Sequence, residues 1–206
     1  MSATACLELP NRRPITYALE MSVCEDAQRM LAYANGDISA FEQLYAAHKD
    51  PVYRYLLRRC QNASNAEDIA QDVWSKVIRS RLNYRPDAKF TTFLYRVAYN
   101  AFIDFTRRQK KRGHEETYDD ELSRAEQQTI LQSVDSQALR VAFDKALREI
   151  PDEQRDAYLL HEEAGLTLEA IAGVTGVSKE TAKSRVRYAV AKLKARLLDD
   201  YSDEDS

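Results

Sequence analysis

TLEAIAGVTGVSKETAKSRVRYAVAKLKARL, residues 167–197, holds two helical patterns separated by a glycine turn. Leu168, Ile171 and Ala172 share one face of a short helix. Gly176-Val177 supplies the turn, and Ser178 is a good N-cap for the helix that follows. In that second helix Ala182, Val186, Ala189, Val190, Leu193 and Leu197 recur at three- and four-residue steps, which predicts a buried face. The opposite face carries Lys179, Lys183, Arg185, Arg187, Lys192, Lys194 and Arg196 against the acid Glu180. A basic run alone fits a solvated amphipathic helix as well as a polyanion contact. The turn upstream decides for a helix-turn-helix, whose second helix presents its N-terminal end to DNA bases.

Composition sets the frame around this element. The chain has 206 residues, 44% hydrophobic and 31% charged, with only five Gly and five Pro, which describes helix-rich protein with room for two small domains rather than one large core. Net charge is −3, so a DNA reader here needs a local basic patch. Charge is in fact segregated: five of the eight residues from Phe105 to Arg112 are basic, Glu115 to Glu126 holds six acids against Arg124, and Asp199 to Asp205 holds five acids. Cys6, Cys24 and Cys60 form no CxxC pair, and His48, His114 and His161 are scattered, so no disulfide, metal or cofactor is expected. No apolar run long enough for a membrane span and no signal core is present, which predicts a cytoplasmic protein without membrane insertion.

In chain order, residues 1–24 read as a poorly ordered extension in which Met21 is a candidate native start. A first domain, 25–112, opens with the stripe Ala27, Met30, Leu31, breaks at Gly36-Asp37, and resumes with Ile38, Phe41, Leu44, Tyr45 and His48. Asp50-Pro51 is expected to interrupt the helix before Val52, Tyr55, Leu56 and the core residue Cys60 continue it. After the turn Asn62–Asn65, residues 66–78 form an amphipathic helix that buries Ile69, Val73, Val77 and Ile78. Its exposed side has Asp68 and Asp72 one turn apart, acids that repel unless a basic partner meets them. Catalysis through them lacks a nucleophile, a metal set and a glycine-rich pocket, so a protein-contact face is the better reading.

The second informative stretch follows the loop Tyr84–Ala88. In the helix from Phe90 to Arg108, Phe93, Leu94, Val97, Ala101 and Phe105 can pack inward, while Phe90, Tyr95, Tyr99 and Phe102 exceed what one stripe needs. Each ring taken singly is more simply core. As a cluster beside Lys89, Arg96, Arg107 and Arg108 they suit unstacked bases and phosphates, with Arg96, Asn100 and Arg107 as polar readers. Residues 113–135 read as an acidic linker, 136–198 as a second helical domain packed through Leu139, Phe143, Ala146, Leu147 and Ile150, and 199–206 as an acidic tail. The fold class expected is all-α, two small helical domains joined by the linker.

With both stretches placed, the chain resembles the extracytoplasmic-function, or group IV, sigma factors of the bacterial sigma-70 family from about Glu25 to Leu198. AEDIAQDVWSKV is similar to the family's region 2.2, which docks on the coiled coil of the polymerase beta-prime subunit, with Asp68, Gln71, Asp72 and Trp74 on motif positions. FTTFLYRVAYNAFIDFTRR looks like regions 2.3 and 2.4, which open and read the minus-ten element. Arg96, Asn100, Asp104, Arg107 and Arg108 fall on its spacing, and Tyr99 joins the DNA-binding set. The helix-turn-helix is similar to region 4.2, reader of the minus-thirty-five element, where Thr181, Lys183, Ser184 and Arg185 match the common core and Ala182 replaces a valine. Its expected contact set is Ser178, Lys179, Glu180, Thr181, Lys183, Ser184, Arg185 and Arg187.

The resemblance implies an alternative sigma factor with no catalytic activity or cofactor, partnered by core RNA polymerase through the beta-prime coiled coil and beta subunits and by promoter DNA. The family commonly uses an anti-sigma partner as well. The rival readings are a helix-turn-helix regulator that binds duplex DNA without polymerase, and an enzyme acting on nucleic acid through Asp68, Asp72 or Glu162-Glu163.

Overall fold

The computed structural model describes residues 25–112 and 134–204, with side chains over 25–111 and 139–198. The expected N-terminal extension and most of the expected linker lie outside the described residues. Within them the chain is helical and has no strand. Helix α1 covers 25–34. It is followed by α2 (Ile38–Cys60), α3 (Ala63–Ser80), a short 3-10 turn (Arg81–Asn83), α4 (Phe90–Arg112), α5 (Val134–Arg148), α6 (Asp152–Glu162), α7 (Leu168–Thr175) and α8 (Lys179–Glu204). None of the described helices is long and apolar enough to cross a membrane.

Polar side chains cap α2 and α3 of the first domain. Asp37 accepts the Ala40 N–H at 3.3 Å ahead of α2, and Asn62 accepts the Asn65 N–H at 2.9 Å ahead of α3, each satisfying a donor that the first helical turn leaves unpaired. Around them α2, α3 and α4 pack against one another, closing over Leu44, Val52, Leu56, Ile69, Val73, Val77 and Leu94.

Two expectations are corrected here. Pro51 does not interrupt its helix; α2 runs unbroken from Ile38 to Cys60 with the proline inside. Proline removes one hydrogen bond to the carbonyl four residues back, Ala47, which lies on an exposed turn where water can serve it. The full burial of Val52, Tyr55 and Leu56 just beyond offsets the cost. The aromatic surplus of α4 is core rather than a stacking surface. Phe90, Tyr95 and Phe102 are buried, and Tyr99 alone of the four is half-exposed. One stripe was too narrow an assumption because α4 is covered from three sides, by α2, α3 and α7.

Helix α1 is fastened by a polar cluster. Asp26, itself buried, meets His48 Nε2 at 2.7 Å and Arg29 Nη1 at 2.9 Å. Burial pushes the Asp26 carboxyl up, but the His48 and Arg29 contacts outweigh it and hold the group below its ordinary value of 3.8. A depressed carboxylate stabilises the fold above that ordinary value and loses its contribution as pH falls through the folded one. Asp26→Asn is therefore expected to cost about 1–3 kcal/mol in urea unfolding at pH 7. The gap from wild type should narrow toward pH 3, and a gap independent of pH would show that the carboxylate charge is not what fastens the helix.

In the second domain α5, α6 and α7 all pack on α8, burying Ala146, Leu147, Ile150, Leu159, Leu160, Ile171, Ala189 and Leu193. Leu139, expected inside, is 44% exposed. The domains also touch: α4 lies on α7 and α2 on α6.

Candidate nucleic-acid interface

The helix-turn-helix is built by its caps. Thr167 Oγ1 accepts the Ala170 N–H at 3.2 Å to open α7. Gly176 closes α7 in the left-handed region at φ 72°, its N–H donating to the Ala172 carbonyl at 2.9 Å. Ser178 Oγ then accepts the Thr181 N–H at 3.1 Å and starts α8. Ala182 is fully buried on α8, the helix on which α5, α6 and α7 all pack. Nothing lies within 4 Å of the position a Cβ would take on Gly176, so a substitution there meets backbone strain alone. Gly176→Val is expected to lower stability by about 1–2 kcal/mol, with Gly176→Asn milder because asparagine tolerates this conformation. Equal melting temperatures for wild type and the valine variant would overturn this account of the turn.

Lys179, Glu180, Thr181, Lys183 and Arg187 stand exposed along the start of α8. The hydroxyls of Ser178, Thr181 and Ser184 are committed to the helix itself: the first two share a 2.9 Å contact, and Ser184 Oγ donates to the Glu180 carbonyl at 2.8 Å. Lys179 is paired with Glu169 of α7, and the Glu169 carboxylate holds the ammonium above its ordinary pKa. Arg185 is half-buried, and its charge works against the rise in the Tyr99 hydroxyl pKa. Tyr188, absent from the expected set, is 50% exposed, with the Arg187 guanidinium 5.0 Å from its ring. An exposed ring inside a basic face was legible, but the residue had no place in the apolar stripe that guided the reading.

On the first domain the structure brings Asp68, Gln71 and Asp72 together on the outer face of α3. Lys76 Nζ meets Asp72 at 3.0 Å and Asp104 at 3.5 Å, while Arg108 Nη2 stands 3.9 Å from Asp72. Asp68, Ile69, Asp72, Phe105, Arg108 and Gln109 line a shallow cavity of about 210 Å³. Trp74 does not join this face. It is 7% exposed, its ring 4.9 Å from Tyr45 and 6.1 Å from Phe41 between centroids, because a position two residues beyond Asp72 turns to another side of the helix.

Along α4, Arg96, Asn100, Arg107 and Arg108 are exposed. Tyr99 is half-buried; burial pushes its hydroxyl pKa up, with the Asp156 carboxylate adding to the rise. Arg96 rests against α7, with Nη2 3.5 Å from the place of a Cβ on Gly173. The seam between the domains is ionic elsewhere too. Arg59, whose side chain is 5% exposed, pairs through Nε and Nη2 with both oxygens of Asp156, and Nη1 lies 3.5 Å from Asp152. Arg58 pairs with Glu163 and stands 3.5 Å from Asp144, and Arg54 reaches Glu163 at 4.0 Å. Glu163, one of the carboxylates a nucleic-acid enzyme would need, is thus committed to arginines. Cys60 beside them is a core thiol, which burial pushes up to about 12.

Comparison with known proteins agrees with this architecture. Residues 44–112 match the family model for Sigma-70 region 2, and residues 140–193 match that for Sigma-70, region 4. The chain is 30% identical to the RNA polymerase sigma factor CarQ of Myxococcus xanthus, over 82% of this chain and 95% of that protein. It is 31% identical to the ECF RNA polymerase sigma factor SigM of Mycobacterium tuberculosis, over 84% of each. Among solved structures, the sigma factor RpoE of Bartonella quintana, crystallised with the anti-sigma factor NepR, shares the fold with a TM-score of 0.67 at 23% identity, over 78% of this chain and 98% of that one. CnrH in complex with the cytosolic domain of CnrY gives a TM-score of 0.63 at 22% identity, over 85% and 98%.

Proposed function

The chain belongs to the extracytoplasmic-function sigma factors of the sigma-70 family, and from that premise we propose how its surfaces divide the work. It is an alternative sigma factor that binds core RNA polymerase and directs promoter-specific transcription initiation. The first domain, 25–112, docks on polymerase through Asp68, Gln71 and Asp72, with Trp74 bracing that helix from beneath. It engages the minus-ten element through Arg96, Tyr99, Asn100, Arg107 and Arg108. The second domain, 136–198, reads the minus-thirty-five element through the exposed start of α8, above all Lys183 and Arg187, with Lys179 released from Glu169. Residues 113–135 join the two.

The observation that carries this division is the placement of an acidic face on α3 in one domain and a capped, basic helix-turn-helix in the other. The acids meet basic polymerase surface, and phosphate contacts give salt-dependent affinity while a few side chains select bases. The protein performs no chemistry of its own and works in the cytoplasm with polymerase. An anti-sigma partner is part of the same proposal, supported by family membership.

A transcription assay with purified protein, core polymerase and upstream fragments of its own genome tests the reading. Specific start sites should arise only when the protein is present. Tight binding of duplex DNA by the protein alone, without initiation, would favour the ordinary helix-turn-helix regulator instead.

A further inference from the structure

Tyr188 belongs neither to the apolar stripe of α8 nor to its expected contact set, yet it is 50% exposed and carries the Arg187 guanidinium over its ring at 5.0 Å. Adjacent residues leave an α-helix about 100° apart and do not ordinarily face each other. The contact therefore requires Arg187 to lean along the helix surface toward the ring instead of extending straight from its own Cα.

The other neighbours of Arg187 on the helix give it nothing to hold. One turn to either side stand Lys183, Ser184, Val190 and Ala191, none of them an acid. Lys183 repels the guanidinium, the Ser184 hydroxyl already donates to the Glu180 carbonyl at 2.8 Å, and Val190 and Ala191 offer no polar side-chain atom. Lys179, at the start of the same helix, is held differently, by the Glu169 carboxylate, which occupies donors that DNA would need. A ring attracts a cation through its face, so the N–H edge of the planar guanidinium stays open to another partner.

We propose that Tyr188 is a positioning residue for the minus-thirty-five element, its ring holding the Arg187 guanidinium as a preset fork for the edge of a guanine. The inference rests on the assignment of α8 to that element. Arg187 starts about 12 Å along the helix from Lys179, so it reaches a base only by using most of its own length. An unheld side chain of that length closes as readily on a phosphate. Phosphate contacts carry no sequence information, whereas a fork fixed in its plane meets O6 and N7 of guanine together. Ordering the fork before DNA arrives removes that cost from binding. The aromatic residue thus adds selectivity to the basic face without adding charge.

The test is transcription by full-length protein assembled with core polymerase, from promoters altered one base pair at a time across the minus-thirty-five element. Tyr188→Leu keeps an apolar side chain but removes the ring. It is expected to reduce discrimination roughly two- to fivefold at one G·C pair, the worth of an exposed cation–π contact, and to leave discrimination at the other pairs as in wild type. Tyr188→Phe keeps the ring face and should behave as wild type. An equal loss on every promoter, or a phenylalanine variant no better than the leucine one, overturns the proposal. Arg187→Ala separates the two readings: if it lowers discrimination and Tyr188→Leu does not, the positioning role alone fails; if neither does, the reading of the element through Arg187 fails with it. In the Arg187→Ala background Tyr188→Leu should cost nothing further. Losses that add would show the ring touching DNA on its own account, and would sink the claim that it acts through Arg187.

Discussion

Asp72→Arg is expected to lower affinity for core RNA polymerase by about 100-fold or more while the protein stays folded. Removing one partner of a close interfacial charge pair costs about 2–5 kcal/mol, and reversal adds repulsion to whatever basic surface meets α3. The change also acts within the chain. Asp72 now offsets Lys76 at 3.0 Å and Arg108 at 3.9 Å, so an arginine there would bring three cations together, two of them at positions lining the cavity that Asp68 also lines. The fold should tolerate this, because the Asp72 side chain is one-third exposed and the buried stripe beside it, Ile69, Val73 and Val77, is untouched. Titration of labelled protein with core polymerase measures the loss, and circular dichroism checks the fold. Unchanged affinity in a folded variant would move the polymerase contact away from α3.

Trp74→Phe makes a useful contrast. Both readings of that residue place it on the same helix, but a ring packed on Tyr45 and Phe41 acts on the stability of α3 rather than on its charge. The difference between a residue that touches polymerase and one that braces the touching helix is invisible in a motif. It depends on angular position: 72 and 74 share a short sequence but face about 200° apart on a helix.

What the sequence revealed and what it hid divide along a physical line. Local chemistry was legible. Ser178 caps α8 as its side chain allows, and Gly176 takes the left-handed turn that its lack of one permits. The apolar spacing of Ile69, Val73 and Val77 announced the buried side of α3. Effects set by distant neighbours were not legible. Pro51 was read by its local cost, which the packing of Tyr55 and Leu56 overrides. Phe90, Tyr95 and Phe102 were counted against one buried stripe, whereas α4 is covered on three sides. Arg59 and Asp156 are 97 residues apart, and no pattern in either segment announces the other.

Lys183→Ala is expected to weaken use of promoters that depend on the minus-thirty-five element by about 1–3 kcal/mol, roughly 5- to 150-fold, if the ammonium contacts a base edge. Lys183 is exposed on the first turns of α8, and the pairings described around it belong to other residues: Lys179 with Glu169, Arg187 against Tyr188. Position decides what it reads. The N-terminal turns of a recognition helix reach deepest into the major groove, and residues farther along meet the backbone. The outcomes differ in kind as well as size. A base contact makes the loss depend on the pair it faces, so altering that pair in the template should remove the difference between wild type and variant. A phosphate contact costs the same on every template and reduces the salt slope by about 1. Transcription from a promoter set altered one base pair at a time distinguishes them, with polymerase affinity measured in parallel. A uniform loss would leave Arg187, the next exposed cation on α8, to select the sequence, with Lys183 only setting the helix in its groove.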